Sequence, residues 1–160
     1  MKQFTVREAT SQDVESIYSV FGETELLHRN AHPEIFRSSK NPAAVFEYLR
    51  DSILDPSAAI FLAENSEEIL GAIHCRIQNS TENPIMVPRK YALIENIAVI
   101  SVHRRRGIGE SLMKRAEQWA KSLGAVSIEL TVWEFNQTAK DFYCQLDYRP
   151  IRQRMSKELR

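Results

Sequence analysis

An apolar strand, a short loop of arginines and glycines, and an amphipathic helix follow one another directly in this 160-residue chain. The predicted strand spans Tyr91–Ile100, the loop begins at Arg104, and the predicted helix runs from Gly107 to a stop at Gly124. Glycine lets a backbone approach an anion closely, and the first N–H groups of a helix have no partner within it. The arrangement predicts a phosphate site held by main-chain groups.

Hydrophobic periodicity predicts the other elements. Helices are predicted where apolar residues recur every three or four positions after a capping or proline signal, from Val14, from Pro42 and from Asn136. Strands are predicted where apolar residues alternate or run together, at Gln3–Arg7, Ala58–Ala63, Ile69–Ile77, Val126–Val132 and Tyr148–Met155. The order is therefore β-α-α-β-β-β-α-β-α-β, which predicts an α/β fold with a mixed central sheet flanked by helices.

The bulk properties of the chain narrow its class. Its length predicts a single domain over residues 1–160. The 21 basic and 21 acidic side chains balance, so no nucleic-acid partner is expected, and no apolar run is long enough to span a membrane. Cys75 and Cys144 lie far apart without metal-type spacing, which favours free thiols and a cytoplasmic setting. His28 and His32 have the i, i+4 spacing of metal ligands, but no third ligand is evident, so no metal is predicted.

Two common phosphate-binding motifs do not fit the loop. A dinucleotide-binding fingerprint needs Gly-x-Gly-x-x-Gly, and the chain has only Gly107-x-Gly109. A nucleotide P-loop needs Gly-x-x-x-x-Gly-Lys-Ser/Thr, which is absent. The loop by itself predicts an anion site without naming the ligand.

Two motifs taken together resemble the GNAT family of N-acetyltransferases. Arg104-x-x-Gly107-x-Gly109 resembles the family's Gln/Arg-x-x-Gly-x-Gly/Ala motif for acetyl-CoA. The segment from Asn136 to Tyr148 resembles its second signature, Asn-x-x-Ala-x-x-Phe-Tyr-x-x-x-Gly-Phe/Tyr. One departure is Asp147, which stands where the family usually has a glycine, at a position that often takes a left-handed backbone.

The resemblance implies an enzyme that uses acetyl-CoA as a cosubstrate. Its pyrophosphate would lie on the loop and the first turn of the following helix, its pantetheine arm would pair with the strand before the loop, and the N–H of Val99 or a neighbour would polarise the acetyl carbonyl. The residues expected to bind the cosubstrate are Ile97, Ala98, Val99, Arg104, Arg105, Arg106, Gly107, Ile108, Gly109, Glu110, Ser111, Asn136 and Tyr143.

Two side chains are candidates for proton transfer. Tyr143 occupies the position where the family commonly places its general acid, which would serve the leaving thiolate, and packing on an amphipathic helix is the alternative. Glu95 interrupts an apolar strand, where partial burial would raise its pKa towards that of a useful base for the attacking amine. A solvated or arginine-paired Glu95 is the alternative, Glu129 and Glu134 are weaker candidate bases, and transfer through water needs no single base.

The resemblance further implies a primary-amine acceptor, bound by the first two helices (Val14–Ile53) and by Gln78–Lys90. Carboxylates would suit a cationic amine, and the polar residues of this part of the chain are Glu23, Glu25, His28, His32 and Glu34. The second hypothesis is a non-catalytic acetyl-CoA sensor that keeps the loop without turnover. Pairing through the C-terminal strands, which is common in the family, would give a homodimer.

Overall fold

The computed structural model describes residues 4–80 and 83–159. These residues fall into two compact units, of which the first ends at Leu130 and the second begins at Thr131. The first unit contains the predicted anion loop, and the second contains the predicted Asn136–Tyr148 signature. The single domain over residues 1–160 stays a prediction.

The first unit is built on a five-stranded mixed sheet with the strand order β1-β2-β3-β4-β5. Its strands are β1 (Thr5–Glu8), β2 (Ala58–Glu64), β3 (Ile69–Asn79), β4 (Lys90–Val99) and β5 (Ser127–Leu130). The first four strands pair antiparallel, and β5 pairs parallel with β4. The predicted α/β class with a mixed central sheet flanked by helices is confirmed. Gln3, the first residue of the predicted first strand, lies outside the described residues.

Three helices of the first unit begin at the predicted signals. They are α1 (Val14–Ala31), α2 (Pro42–Leu54) and α3 (Ile108–Ser122). Before α1, the Asp13 carboxylate accepts a hydrogen bond of 2.7 Å from the Thr10 N–H, as the capping sequence predicts. The Asn41 side chain caps α2 by accepting from the Ala44 N–H, with proline in the first turn.

The helices cover both faces of the sheet. On one face α1 and α2 pack on β2, β3 and β4, where Ile17, Leu62 and Ala72 are fully buried. On the other face α3 packs on β2 and β3, and the Phe61 and Trp119 rings lie edge to face at 6.4 Å. A sheet buried on both sides explains why β2 and β3 are almost continuously apolar.

The second unit contains α4 (Gln137–Gln145) and a tail without regular secondary structure over residues 149–159. The predicted strand Tyr148–Met155 is therefore wrong. The segment has Pro150, which lacks an N–H donor, and its apolar side chains remain exposed, with Ile151 at 70 % and Met155 at 85 %. Apolar and polar residues do not alternate regularly in this segment. A strand formed by it would therefore have no continuous apolar face to bury.

The approach of β3 to α3 depends on a glycine, and this gives a stability prediction. A Cβ at Gly71 would lie 2.9 Å from the Ala98 carbonyl oxygen and 3.2 Å from Ile108. Gly71→Ala should therefore lower the free energy of unfolding by about 1–3 kcal/mol, measured by urea unfolding. Gly22→Ala, inside α1 with no atom within 4 Å, is the control and should raise it by about 0.4–1 kcal/mol. Equal stability of Gly71→Ala and the wild type would contradict the described packing.

Candidate functional site

The loop between β4 and α3 has the backbone of an anion site. A 3₁₀ turn at Ser101–His103 leads into it, and two residues take left-handed conformations, Arg105 at φ 63° and Gly107 at φ 77°. Gly107 caps α3, whose first bond within the helix runs from the Ser111 N–H to the Gly107 carbonyl. The N–H groups at the start of the helix therefore have no partner within it, and no atom lies within 4 Å of a Cβ placed at Gly107.

The three arginines of the loop have different environments. Arg104 Nε donates to the Val99 carbonyl at 2.9 Å, and its Nη2 donates to Glu23 of α1 at 3.1 Å. Arg104 therefore links the end of β4 to α1, although 52 % of its side chain is exposed. Arg105 and Arg106 are exposed as well. Among the described hydrogen bonds and ion pairs, Arg104 has a carboxylate partner, whereas Arg105 and Arg106 have none. These two side chains are therefore better placed to contact a phosphate.

His103, in the 3₁₀ turn, contacts the turn between β2 and β3 through Glu68. His103 Nε2 lies 2.9 Å from the Glu68 carboxylate, and only 16 % of the His103 side chain is exposed. The residue lies between the strand and the arginines, so the contact fixes the direction in which the loop leaves the sheet.

The edge of β4 that faces away from β3 is open over its second half. β5 pairs with Tyr91–Ile94 only, and no described strand pairs with this edge over Glu95–Val99. The Ile100 N–H donates to the Leu70 carbonyl of β3. Along an antiparallel strand, successive residues direct their N–H groups to opposite sides, so the Ala98 N–H also faces β3. The N–H groups of Ile97 and Val99 therefore face the open edge. Main-chain donors therefore run along the open edge directly into the loop.

Two carbonyls on the open edge already have partners. The Thr24 hydroxyl of α1 donates to the Ile97 carbonyl at 3.3 Å, and Arg104 holds the Val99 carbonyl. These contacts fix the strand end and leave its N–H groups as the groups that a ligand would meet.

Glu95 lies in a β-bulge and is the centre of a polar cluster formed with Tyr48, His74 and Arg76. The register with β3 shifts between His74 and Cys75, which pair with Asn96 and Ile94, so Glu95 has no residue opposite it. Its side chain is 24 % exposed while the residue as a whole lies at the surface, and Oε2 accepts from the Tyr48 hydroxyl of α2 at 2.6 Å.

Two residues of β3 complete the cluster. His74 Nδ1 lies 3.2 Å from Glu95 Oε2, and Arg76 Nε lies 3.5 Å from Oε1. Arg76 also forms an ion pair with Asp55 and donates to the Ser52 hydroxyl at 3.2 Å. The arginine-paired alternative for Glu95 is thus found, but the arginine is shared with a second carboxylate.

Sequence reasoning missed Tyr48, Arg76 and the contact between His74 and Glu95. His74 is 2 % exposed, and its Nε2 has no hydrogen-bond partner among the described residues. Burial lowers the pKa of His74, Arg76 lowers it further, and Glu95 opposes the change. A histidine within the buried run of β3 was the available signal for a polar partner inside the fold.

The second unit places the residues of the other signature on or beside α4. The Asn136 side chain accepts from the Ala139 N–H at 3.1 Å, so its predicted capping role is confirmed. Tyr143 is half-buried, and burial raises the pKa of its phenol to about 12. Asp147 has φ 65°, the left-handed backbone expected where the family usually has glycine. Cys144 is exposed.

Four of the polar residues expected near the acceptor already contact another side chain, and they are Glu23, His28, His32 and Glu34. Glu23 pairs with Arg104, the His28 ring stacks on Phe36 at 5.1 Å, and His32 Nδ1 lies 2.9 Å from Glu34. Burial and His32 lower the pKa of His28. Residues 81 and 82 of the predicted acceptor segment lie outside the described residues.

Metal-binding clusters and membrane-spanning helices are both absent from the part of the chain that the structure describes. Residues 4–80 and 83–159 contain no group of three or more His, Cys, Asp or Glu arranged to hold a metal ion. Within the same ranges, no helix is long and apolar enough to cross a membrane.

Comparison with known proteins gives matches over most of the chain. A model of the acetyltransferase (GNAT) family matches residues 25–148. The aminoalkylphosphonate N-acetyltransferase of Salmonella typhimurium is 26 % identical over 154 residues, covering 96 % of this chain and 90 % of that protein. An N-alpha-acetyltransferase of Sulfurisphaera tokodaii is 26 % identical over 154 residues, covering 94 % and 83 %.

Solved structures agree with these matches. A mutant of the BH1408 protein from Bacillus halodurans superposes with a TM-score of 0.91 at 26 % identity, covering 97 % of this chain and 99 % of that one. An aminoglycoside 6'-N-acetyltransferase from Acinetobacter haemolyticus gives a TM-score of 0.74 at 16 % identity, covering 98 % and 99 %, and shares the fold.

Proposed function

The chain belongs to the acetyltransferase (GNAT) family, and we propose that it transfers the acetyl group of acetyl-CoA to a primary amine by direct attack. The observation that carries the proposal is the open edge of β4 over Glu95–Val99, which runs directly into the left-handed loop before α3. An extended ligand that ends in a pyrophosphate fits such a path, because the edge offers N–H groups and the helix start offers an anion site.

Acetyl-CoA is a substrate here, and the proposed contacts follow the main chain. The pyrophosphate lies on the N–H groups from Arg105 to Glu110, with added charge from Arg105 and Arg106. The pantetheine arm pairs with the N–H groups of Ile97 and Val99, and the Val99 N–H polarises the acetyl carbonyl. Glycine suits position 107 because its φ of 77° would cost another residue about 1–2 kcal/mol.

The proton balance needs two acceptors. The ammonium group of the substrate first gives a proton to the Glu95 carboxylate, and the free amine then attacks the acetyl carbon. When the tetrahedral intermediate collapses, the C–S bond breaks, the thiolate leaves with the electron pair, and the nitrogen gives its second proton to solvent. Solvent returns one proton to the thiolate, and Glu95 releases the proton that it took. Overall, ammonium and acetyl-CoA give an amide, CoA thiol and one proton.

We assign Tyr143 as the hydrogen-bond donor to the leaving thiolate, on the strength of the Asn136–Tyr148 signature. With a pKa of about 12 its phenol is protonated at neutral pH. A CoA-type thiol has a pKa of about 8.5, so the phenol is the weaker acid and complete proton transfer is uphill. Tyr143 therefore acts by hydrogen bonding to the developing charge, and solvent supplies the final proton.

Replacing Tyr143 with Phe tests this assignment. We expect kcat to fall roughly 10- to 100-fold, as for loss of one hydrogen bond to a charged group, with a change of less than about threefold in acetyl-CoA affinity. Steady-state kinetics and calorimetric binding measure the two quantities. An unchanged kcat would remove Tyr143 from the reaction and leave it as a packing residue.

A thiol-release assay with a panel of amines tests the function itself. The panel holds an aminoalkylphosphonate, a peptide with a free N-terminus and streptothricin, because relatives of this chain are named for these acceptors. A polyamine and an aminoglycoside extend it. Exposed Cys144 reacts with thiol reagents too, so the criterion is amine-dependent CoA release well above one equivalent of enzyme.

The second candidate, a non-catalytic acetyl-CoA sensor, is separated by the same assay. Acetyl-CoA binding with no CoA release on any amine would favour the sensor and contradict the enzyme. The presence of Glu95 in a polar cluster favours the enzyme, since a module that only binds needs no base at that position.

The remaining parts of the proposal concern setting and assembly. Cys75 and Cys144 are both free cysteines, which fits the predicted cytoplasmic setting. The homodimer stays a prediction, and its expected route through C-terminal strands finds no strand within residues 149–159. Gel filtration with light scattering measures the assembly directly.

A further inference from the structure

Three side chains from two elements contact the carboxylate of Glu95. The bulge removes Glu95 from the β3–β4 ladder and places its carboxylate beside His74 and Arg76, on the sheet face covered by α1 and α2. Tyr48 reaches the same oxygen as His74 from α2. Donors from a helix and from a neighbouring strand therefore converge on a single side chain.

The protonation of His74 follows from its burial and from its partner. Because burial lowers the pKa of His74, the ring is neutral at physiological pH, and one of its nitrogens carries the hydrogen. An ionised carboxylate only accepts hydrogen bonds, so we assign the hydrogen to Nδ1, which faces Glu95 at 3.2 Å. Nε2 is then a bare acceptor without a partner among the described residues.

An unpartnered buried nitrogen is a cost to stability, which makes His74 a poor choice for packing alone. An aliphatic side chain at this position would have no unpartnered polar atom, like the apolar residues beside it on β3. It would also have no N–H group to donate to Glu95. The contact between Nδ1 and Glu95 is therefore the feature that only a polar residue provides here.

The charged and titratable groups around Glu95 form a defined set. Tyr48 faces it from α2, and His74 and Arg76 face it from β3, with Asp55 behind Arg76. The Cys75 thiol also interacts with Glu95, but its pKa, raised to about 12 mainly by burial, keeps it neutral. Arg76 is shared between two carboxylates, so Tyr48 and His74 are the donors available to Glu95 alone.

We propose that Tyr48 and His74 are positioning residues that orient the Glu95 carboxylate to take the proton of the acceptor ammonium. This inference rests on the proposed function, because it assigns the surroundings of the same base. Both residues act through Glu95 and neither contacts the reacting atoms. Because a donor to a carboxylate interacts more strongly with its charged form, the loss of either contact can be detected in the pH dependence of the reaction.

The experiment measures the ionisation of Glu95 in two independent ways. Carbon-13 NMR of the side-chain carboxylate, assigned by its absence in Glu95→Gln, gives the titration midpoint in the free protein. The acidic limb of kcat/KM with one fixed amine gives the same ionisation from the reaction, since the ionisation of the amine is common to all variants.

Four variants divide the possible roles. Tyr48→Phe and His74→Leu each remove a donor to the charged carboxylate and should move both the NMR midpoint and the acidic limb to higher pH. His74→Asn returns an N–H donor near Nδ1 and should return both towards the wild-type values. Tyr18→Phe, on α1 and outside the cluster, is the matched control and should leave both unchanged.

The outcomes separate this inference from the proposed function. Midpoints and limbs equal to the wild type in Tyr48→Phe and His74→Leu would overturn it, as would a moved midpoint with an unmoved limb. Tyr48→Phe keeps the test decisive if His74→Leu folds poorly, because Tyr48 lies at the surface. If the wild type acetylates no amine, the proposed function fails, and the NMR midpoints alone then show whether the two residues hold Glu95.

Discussion

Acetyl-CoA binding is expected to weaken at least 100-fold in Gly107→Glu, while the fold is retained. The loop N–H groups and the start of α3 attract an anion, and a carboxylate at position 107 would occupy that site and repel the pyrophosphate. Two like charges about 4 Å apart near a protein surface interact by roughly 4 kcal/mol, more than the roughly 2.7 kcal/mol of a 100-fold change. Isothermal titration calorimetry with acetyl-CoA measures the loss.

The same helix supplies a matched control for this variant. Gly124, beyond the other end of α3, also has a left-handed backbone, at φ 79°, and a Cβ at this position would meet no atom within 4 Å. Gly124→Glu therefore carries a comparable backbone strain of about 1–2 kcal/mol, roughly 20 Å or more from the loop. We expect similar falls in melting temperature for both variants and normal acetyl-CoA affinity for Gly124→Glu. Normal affinity in Gly107→Glu would refute the loop assignment.

Strong local signals explain why most of the fold was predictable. Pro42 sets the first turn of α2, Asn136 caps α4, and the apolar stripe of α3 ends before Gly124, so each boundary has a chemical cause within a few residues. The hairpin of β2 and β3 likewise depends on a short polar turn between two apolar runs. The failed strand over Tyr148–Met155 had only weak alternation and a proline.

The candidate site was predictable where the main chain determines it and less so where side chains meet across the fold. Gly107 can be identified from sequence, because a glycine before a helix has few other uses. The bulge at Glu95 cannot be identified from the sequence, because a register shift depends on how both paired strands align. Tyr48 is 47 residues away from Glu95 in sequence, so only the packing of α2 on the sheet brings the two together.

A second large effect is expected in Glu95→Gln, where kcat should fall by about 10²–10⁴-fold with little change in acetyl-CoA affinity. Gln has nearly the shape of Glu and still accepts the Tyr48 hydrogen bond, but its amide cannot take a proton at neutral pH. The variant should therefore also lose the acidic limb of the wild-type profile, because no group of that ionisation remains. Steady-state kinetics over a range of pH and calorimetric binding of acetyl-CoA measure both effects.

Glu129→Gln is the comparison that makes this result specific. Glu129 was the alternative base on β5, and its carboxylate forms an ion pair with Arg89. Glu95 differs in its partners, because Oε2 accepts from two neutral donors while Oε1 lies 3.5 Å from an arginine that is shared with Asp55. A larger loss of kcat in Glu129→Gln than in Glu95→Gln would transfer the role of base to β5, and equal small losses would indicate proton transfer through water.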